Sequence, residues 1–340
     1  MALDPATAVE RAAHDVARSS GAPLLVAVSG GLDSMVLMHA LARTARARIA
    51  AIATFDHGTG EAATAAAGHV RAAARALGLA VVVGRARGTL DVREGREQAW
   101  RASRYAFLRD EAARRSARVV TAHTEDDQVE TVLMRIMRGS GARGIAGLYS
   151  ASDIARPFVH LRRGTLEAYA RAHAVRWMDD PSNASADFFR NRIRRDLLPA
   201  LRRQDASFDD ALLSLAVRAN ALRCDLDAFI NGHVQTSAGG DARLEVGARE
   251  LSSLDFDSLK VIWGALASRA GLSLDRRGTR RIAEFTMNQP HSGWIPLAGG
   301  WQLEARRGQY RLRRPGSSSG ITPQSRGNRS VRLTGTNPSL

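Results

Sequence analysis

The sequence predicts an α/β protein, a doubly wound parallel sheet followed by a smaller, mainly helical α+β domain. Three observations predict it. Short, mainly apolar runs at Leu24–Val28, Ile49–Phe55, Leu79–Val83 and Arg118–Ala122 alternate with stretches at helical spacing, and strand–helix repetition of this period builds a parallel sheet with helices on both faces. The first run passes through Gly30-Gly31 directly into an apolar helical pattern, so a loop and a helix N-terminus share one sheet edge. Past residue 201 the alternation stops, and helical stretches are followed by a few short strands.

Taken in order, residues 5–20 alternate alanine, valine and charged positions as a leading helix. Leu24–Val28, bounded by Gly21 and Pro23 before it and Gly30-Gly31 after it, is apolar throughout, as a strand covered on both faces requires. Met35, Leu37, Met38 and Leu41 then return at helical spacing. The first turn of a helix has unpaired amides and the positive end of the helix dipole, so Ser29-Gly30-Gly31-Leu32-Asp33-Ser34 reads as an anion site. The glycines permit close approach and positive φ, Ser29 and Ser34 add hydroxyl donors, and Asp33 adds a carboxylate able to take Mg²⁺. The usual triphosphate cradle carries a lysine after its last glycine, and this loop has none. The plain structural alternative is a turn that merely uses glycine; six coordinated positions between strand and helix weigh against it.

Ile49–Phe55 is a second strand ending at Asp56-His57-Gly58, and Glu61–Leu77 a second helix closed by Gly78. Leu79–Val83 is a third strand, Arg96–Ser116 a long helix, and Arg118–Ala122 a fourth strand ending at His123. Ligands in such sheets bind beyond the carboxyl ends of the strands. Ser29–Ser34, Asp56, His57 and His123 are therefore expected on one edge.

His123 leads into Thr124-Glu125-Asp126-Asp127-Gln128-Val129-Glu130-Thr131 and a helix. Asp127, Glu130 and Thr131 lie three or four apart and share a face. Acids also suit a helix N-terminus on dipole grounds alone, which is the bland reading of Glu125, Asp126 and Asp127. For His123 the alternatives are a polar strand end and a ligand or phosphate contact. Residues 138–148 form a glycine-rich loop expected to be mobile, Arg156–Val159 reads as a last strand, and Arg163–Arg171 as a helix. Then Arg190, Asn191, Arg192, Arg194 and Arg195 crowd six positions, with Arg190 and Arg194 on one helical face and Arg192 turned away. Pairing with Asp179, Asp180, Asp187 or Asp196 would make them a brace instead of a phosphate site.

Composition sets the bounds. At 340 residues and 44% hydrophobic content the chain can bury two cores. It has no apolar run of membrane-spanning length and no signal-like N-terminus, so the expectation is a cytoplasmic protein without membrane contact. Cys224 stands alone, which excludes a disulfide framework, a cysteine metal site and chemistry that needs paired thiols. The formal net charge is +15, and every one of the 49 basic residues except Lys260 is arginine. Planar guanidinium suits phosphate, so the excess points toward nucleic acid, with an arginine-biased composition as the competing account.

At Ser29–Ser34 the chain resembles the SGGxDS loop of the PP-loop ATP pyrophosphatases, a Rossmann-like superfamily. With HxxDDxxET at His123–Thr131, RGSGxRGxxGL at Arg138–Leu148, DPSN at Asp180–Asn183 and RNxIR at Arg190–Arg194, the stretch from about Leu24 to Leu201 resembles tRNA(Ile)-lysidine synthase. Two departures are His57-Gly58-Thr59-Gly60, where that family usually has His-Gly-Leu-Arg, and Ala122, where it usually has glycine. The resemblance implies this reaction: ATP adenylates the C2 oxygen of the wobble cytidine in tRNA(Ile) with a CAU anticodon, and the amine of free L-lysine displaces AMP to give lysidine. It implies that Ser29–Ser34 hold the pyrophosphate, that Asp33 and Asp127 bind Mg²⁺, and that Glu130 receives the lysine ammonium. His123 is a further catalytic candidate, and Arg190, Asn191, Arg192, Arg194 and Arg195 would bind tRNA. Which carboxylate takes the proton of the amine stays open, as does a homodimer.

The lone cysteine favours a member using a free amine over thiolating or glutamine-dependent members. Rivals are an RNA-binding module without catalysis, disfavoured by the clustered acids, and a small-molecule amide- or amidine-forming ligase, disfavoured by the arginine excess. The expected domains are a catalytic domain over 1–200, a tRNA-binding domain over 201–312 and a disordered tail over 313–340. Within the second, 208–235 reads as one long helix, 241–246 as a strand, 257–270 and 276–287 as helices, and Trp294–Leu297 and Trp301–Leu312 as strands.

Overall fold

A computed structural model describes residues 4–58, 60–86, 96–178, 189–239 and 242–314. The chain divides into two compact units, Met1–Arg223 and Cys224–Leu340.

The first unit opens with α1 (Pro5–Ser19), whose N-terminus is closed by the Asp4 side chain accepting from the amides of Ala6 and Thr7. There follow β1 (Leu24–Ala27), α2 (Leu32–Thr44), β2 (Ile49–Asp56), α3 (Glu61–Ala76), β3 (Val81–Arg85), α4 (Arg96–Arg114) and β4 (Arg118–Val120). The four strands form one sheet in the order β3-β2-β1-β4, all parallel. Alternation along the strands supplies two cores. Leu24, Val26, Ile52 and Val120 pack with Val9, Val36, Leu37 and Val70 from α1, α2 and α3 on one face. Leu25, Ala51, Ala53 and Val119 meet Tyr105, Leu108 and Ala112 of α4 on the other. With helices on both faces, the inner strand β1 is buried at Leu24, Leu25 and Val26, whereas edge strand β3 leaves Val83 exposed. Trimming fully buried Leu25 to alanine should cost about 2–5 kcal/mol, the scale of an unfilled core cavity.

The acidic motif forms α5 (Glu125–Met137), followed by short α6 (Ala142–Ile145), a 3₁₀ turn over Gly147–Tyr149 and α7 (Arg163–Ala172). Two expectations fail in this stretch. The strand expected at Arg156–Val159 is a single parallel bridge between Val120 and Ala155, with the Ala155 amide donating to Val119 O at 2.8 Å. Pro157 has no amide with which to continue the ladder, and the chain turns away. The glycine-rich segment 138–148 is fastened rather than loose. Buried Gln128 donates from Nε2 to Ala146 O (3.0 Å) and accepts the Leu148 amide (2.6 Å).

Next come α8 (Phe189–Arg192), a wide π turn over Ile193–Leu197, α9 (Leu198–Gln204) and α10 (Phe208–His233). The first unit runs past the expected limit at 200 because Leu212 and Ala216 of α10 pack with Val129, Val132, Leu133, Ile193 and Leu198.

The second unit holds β5 (Thr236–Gly239), β6 (Ala242–Gly247), α11 (Ala248–Leu251), α12 (Phe256–Arg269), α13 (Arg276–Met287), β7 (Ser292–Pro296), β8 (Gln302–Arg306) and β9 (Gln309–Arg313). Its sheet runs β5-β6-β9-β8-β7, antiparallel throughout. Trp263, fully buried, donates from its indole to Thr286 Oγ1 at 2.8 Å, so the largest core side chain has its polar atom satisfied. The strand expected over Trp301–Leu312 is a hairpin, turned at Arg307 and Gly308, both with positive φ. Arg313, placed in the expected tail, pairs in β9. Residues 315–340 of that tail and the DPSN segment lie outside the described residues.

Candidate active site

β1 and β4 are neighbours in the sheet, so the segments that leave their carboxyl ends land side by side. After β1 the chain makes the glycine turn. Gly30 has φ +93°, and a Cβ there would stand 3.3 Å from the Cβ and the backbone O of Ala66, so conformation and space both demand glycine. The Ser34 hydroxyl donates to Gly31 O (2.9 Å) and accepts the Ser29 amide (3.1 Å), which folds the loop back on itself. The Met178 amide donates to Gly30 O at 2.9 Å and fixes the turn from outside. No side chain caps α2, whose N-cap is Gly31. The amides of Leu32, Asp33 and Ser34 have no acceptor within the helix and remain a donor set for an anion.

After β4 the helix begins differently. Thr124 and Asp127 form a reciprocal capping box: the Thr124 amide donates to Asp127 Oδ2 (2.9 Å), and the Asp127 amide donates to Thr124 Oγ1 (3.3 Å). Asp127 Oδ1 then accepts from Arg190 at 2.6 Å. One turn on, Glu130 accepts from Arg190 Nε (2.7 Å) and Arg194 Nε (2.5 Å). Its side chain is 3% exposed, so the acid lies beneath its two guanidinium partners. Arg190 and Arg194 do share a face, as their spacing of four predicts, and that face meets Asp127 and Glu130. Arg192 and Arg195 are exposed, Arg192 lying over the Phe189 ring at 5.7 Å.

Asp33 is the contrast. Its Oδ2 is 3.4 Å from Arg163, and its buried Oδ1 has no hydrogen-bond partner. Burial raises its pKa, Arg163 opposes this and Asp127 adds to it, for a value of about 6. For Asp127 burial also raises the pKa, but Arg190, His123, the Thr124 amide and Arg194 outweigh it and the net shift is downward. Burial pushes the His123 imidazole well below its ordinary value, with Arg190, Arg156 and Arg104 acting in the same direction and Asp127 against. Its Nδ1 lies 2.8 Å from Thr121 Oγ1. A neutral ring at pH 7 is an acceptor or a single donor, not a cation.

The structure thus brings Asp33, Asp127, Glu130, His123, Arg190 and Arg194 to one edge. Asp56 ends β2 at the same edge, as expected, and its carboxylate is engaged in the turn into α3, accepting from the Gly58 amide (2.8 Å) and Thr64 (3.1 Å). Among the described residues no group of three or more His, Cys, Asp or Glu side chains could hold a metal. Two carboxylates, one with an unpartnered buried oxygen, still fit Mg²⁺, which keeps several waters and takes its remaining ligands from substrate phosphates.

Sequence reasoning missed three contributors. Arg163 reaches Asp33 with its guanidinium, while its amide donates to Asp126 Oδ2 at 2.7 Å. Asp126 therefore caps α7. Gln128 is the only uncharged polar residue between the acids Asp127 and Glu130, and a polar side chain at a core-facing position was the available signal. Arg163 carried no signal, because its partner is 130 positions away.

Residues 5–201 match the model of the PP-loop domain. The tRNA(Ile)-lysidine synthase of Burkholderia pseudomallei is 35% identical over 290 residues, covering 80% of this chain and 59% of that protein. The protein of the same name from Symbiobacterium thermophilum is 34% identical over 331 residues, covering 86% of this chain and 66% of that one. The chain thus spans about three fifths to two thirds of the length of these curated relatives. Among solved structures, the U34-tRNA thiolase NcsA from Methanococcus maripaludis with its 4Fe-4S cluster superposes with a TM-score of 0.52 at 14% identity, covering 63% of this chain and 78% of that one. That likeness is one of fold.

Proposed function

The chain belongs to the PP-loop domain family, and we propose that it is an ATP-dependent ligase that joins free L-lysine to C2 of the wobble cytidine of tRNA(Ile) with a CAU anticodon. The observation that carries the reading is the uncapped N-terminus of α2 beside the acids Asp33 and Asp127, in a chain 34–35% identical to proteins named tRNA(Ile)-lysidine synthase. In the first half-reaction the cytidine O2 attacks the α-phosphorus, its bond to pyrophosphate breaks, and an adenylated cytidine forms. In the second the lysine amine attacks C2, the C–O bond breaks, and AMP leaves with the oxygen.

The amides of Leu32, Asp33 and Ser34 and the hydroxyl of Ser29 bind the departing pyrophosphate, with the Ser34 hydroxyl holding the loop in shape. Asp33 and Asp127 are the residues that would hold Mg²⁺, which when bound supplies charge neutralisation at the phosphates. His123, neutral, contributes a hydrogen bond. Glu130 offers its carboxylate to the lysine ammonium as Arg190 and Arg194 turn toward phosphate, so anion binding and amine binding share one exchange of partners. Exposed Arg192 and Arg195, with Asn191, are the tRNA side of the same segment. The proposed site of action is the cytoplasm; among the described residues no helix is long and apolar enough to cross a membrane.

The test is to incubate the protein with ATP, labelled lysine and bulk tRNA. Label entering RNA only with ATP present is the expected result, and label remaining free under all conditions would overturn the reading.

A further inference from the structure

Helices α2 and α7 touch through two polar contacts at matching positions. At the sheet edge Arg163 meets Asp33 at 3.4 Å; six residues further along each helix, Tyr169 meets His39, with the phenol O 3.0 Å from Nδ1. Both pairs are separated by 130 positions, so the helices run in the same direction and in register. Six residues are about 9 Å along a helix, which puts the second contact well below the site. Tyr169 is fully buried, and its ring sits among His39 at 5.7 Å and His173 at 4.3 Å between centroids. Leu166, Ala170, Leu37, Leu41 and Val9 pack in the same core, and the ion pair of Glu10 on α1 with Arg43 on α2 (2.7 Å) lies close enough to act electrostatically on both Tyr169 and His39. Apolar packing tolerates small slides of one helix past another, whereas a hydrogen bond, with a length and an angle to keep, does not. The start of α7 is tied to α5 and α10 through Arg162, which pairs with Glu125 (2.5 Å) and Asp209 (2.7 Å), and through the Glu125 amide donating to Leu161 O (3.0 Å), but these contacts do not set its register against α2, which rests on Arg163–Asp33 and Tyr169–His39.

We propose that Tyr169, through its bond to His39, is a positioning residue that sets the register of α7 on α2 and so holds Arg163 against Asp33 and Asp126. The role rests on the proposed ATP-dependent reaction only where Asp33 serves the nucleotide; the register itself is a property of the free protein. Removing the hydroxyl leaves His39 Nδ1 without its partner and takes away one of the two polar contacts that set α7 against α2, with the effect felt at the other, Arg163 with Asp33.

Two measurements on the full chain test it. In Tyr169→Phe, hydrogen exchange at the Arg163 amide should quicken at least about 5-fold, with the centres of α1 and α4 unchanged, since loosening one contact opens its own region first. His39→Gln should act in the same direction. MgATP affinity, measured by calorimetry, should fall about 3- to 10-fold in Tyr169→Phe and further in Arg163→Ala, while the double variant should be no weaker than Arg163→Ala alone, because both changes act through one contact. A lower melting temperature with unchanged Arg163 exchange, or losses of affinity that add in the double variant, would show that Tyr169 only fills the core. Wild-type protein that binds no MgATP would overturn the proposed function, and the exchange measurement would then decide the register by itself.

Discussion

Two helices start from neighbouring strands, and their first turns are built in opposite ways. α2, after β1, begins at a glycine with no side-chain cap and carries an acid, Asp33, whose buried Oδ1 has no partner. α5, after β4, begins with a complete capping box, and its acids Asp127 and Glu130 are fully occupied by Arg190 and Arg194. An uncapped turn attracts anions, and an under-partnered acid attracts cations; both lie at the end of β1. The end of β4 is already balanced, so anything binding there must displace or recruit an arginine. Open donors and an under-partnered acid thus lie on one side of the edge, and compensated charges on the other.

The largest effect expected from breaking this contrast comes at Asp33. Asp33→Asn and Asp127→Asn should each lower lysine incorporation at least about 100-fold, the scale of losing one electrostatic catalytic group, with tRNA binding nearly intact in a filter assay. Near-wild-type turnover of either variant would remove it from the metal role.

Glu130→Gln should come second. If this acid passes from arginine to ammonium, the lysine KM rises strongly while adenylate formation from ATP and tRNA stays measurable, because the first half-reaction needs no amine. Loss of adenylation as well would place Glu130 with the phosphates.

A smaller and purely thermodynamic effect separates the two acids in the ligand-free protein. The native pKa of Asp33, about 6, lies above the ordinary 3.8, so between those values the folded state binds more protons than the unfolded one, and stability falls as pH rises through the window. A difference of one in pKa is worth about 1.36 kcal/mol, so above pH 6 the ionised acid costs at most about 3 kcal/mol, and less where water screens a side chain 23% exposed. Asp33→Asn, inactive, should therefore melt several degrees higher than wild type at pH 7, and the gap should close toward pH 4. Asp127 is shifted the other way, and Asp127→Asn should melt lower at pH 7. Equal signs for the two variants would contradict the contrast.

The mildest prediction concerns RNA. Arg192→Ala with Arg195→Ala should weaken tRNA binding and reduce the slope of log K against log salt by roughly one to two units, leaving MgATP binding as it was. Arg190→Ala with Arg194→Ala should instead impair adenylation.

Much of the site is legible in the sequence. Strand–glycine–helix order and the i, i+3, i+4 spacing of acids are local patterns, and Ser29–Ser34, Asp127 and Glu130 sit where those patterns place them. The shared face of Arg190 and Arg194 is equally readable. Their partners are not, since pairing with Asp127 and Glu130 spans 60 to 64 positions and acids nearer in sequence compete. Arg163 and Tyr169 are hidden for the same reason. β5 escapes because Thr236-Ser237-Ala238-Gly239 has almost no apolar side chain and owes its strand to pairing with β6. The false strand at Arg156–Val159 shows the reverse error, an apolar run whose proline forbids the ladder.

The π turn at Ile193–Leu197 has a genetic consequence. A turn that already holds one residue more than an α-helical turn can lose that residue by tightening to ordinary helix, so the segments on either side keep their phase, whereas the same loss from a regular helix rotates everything on one side by about 100° relative to the other. Leu198 is anchored among Val129, Val132 and Leu212, and Arg190 would stay opposite Asp127. Deleting the codon of exposed Asp196 should therefore yield a protein that folds and keeps its arginine clamp, whereas deleting that of Thr131, in regular α5, should rotate Asp127 and Glu130 off Arg190 and Arg194.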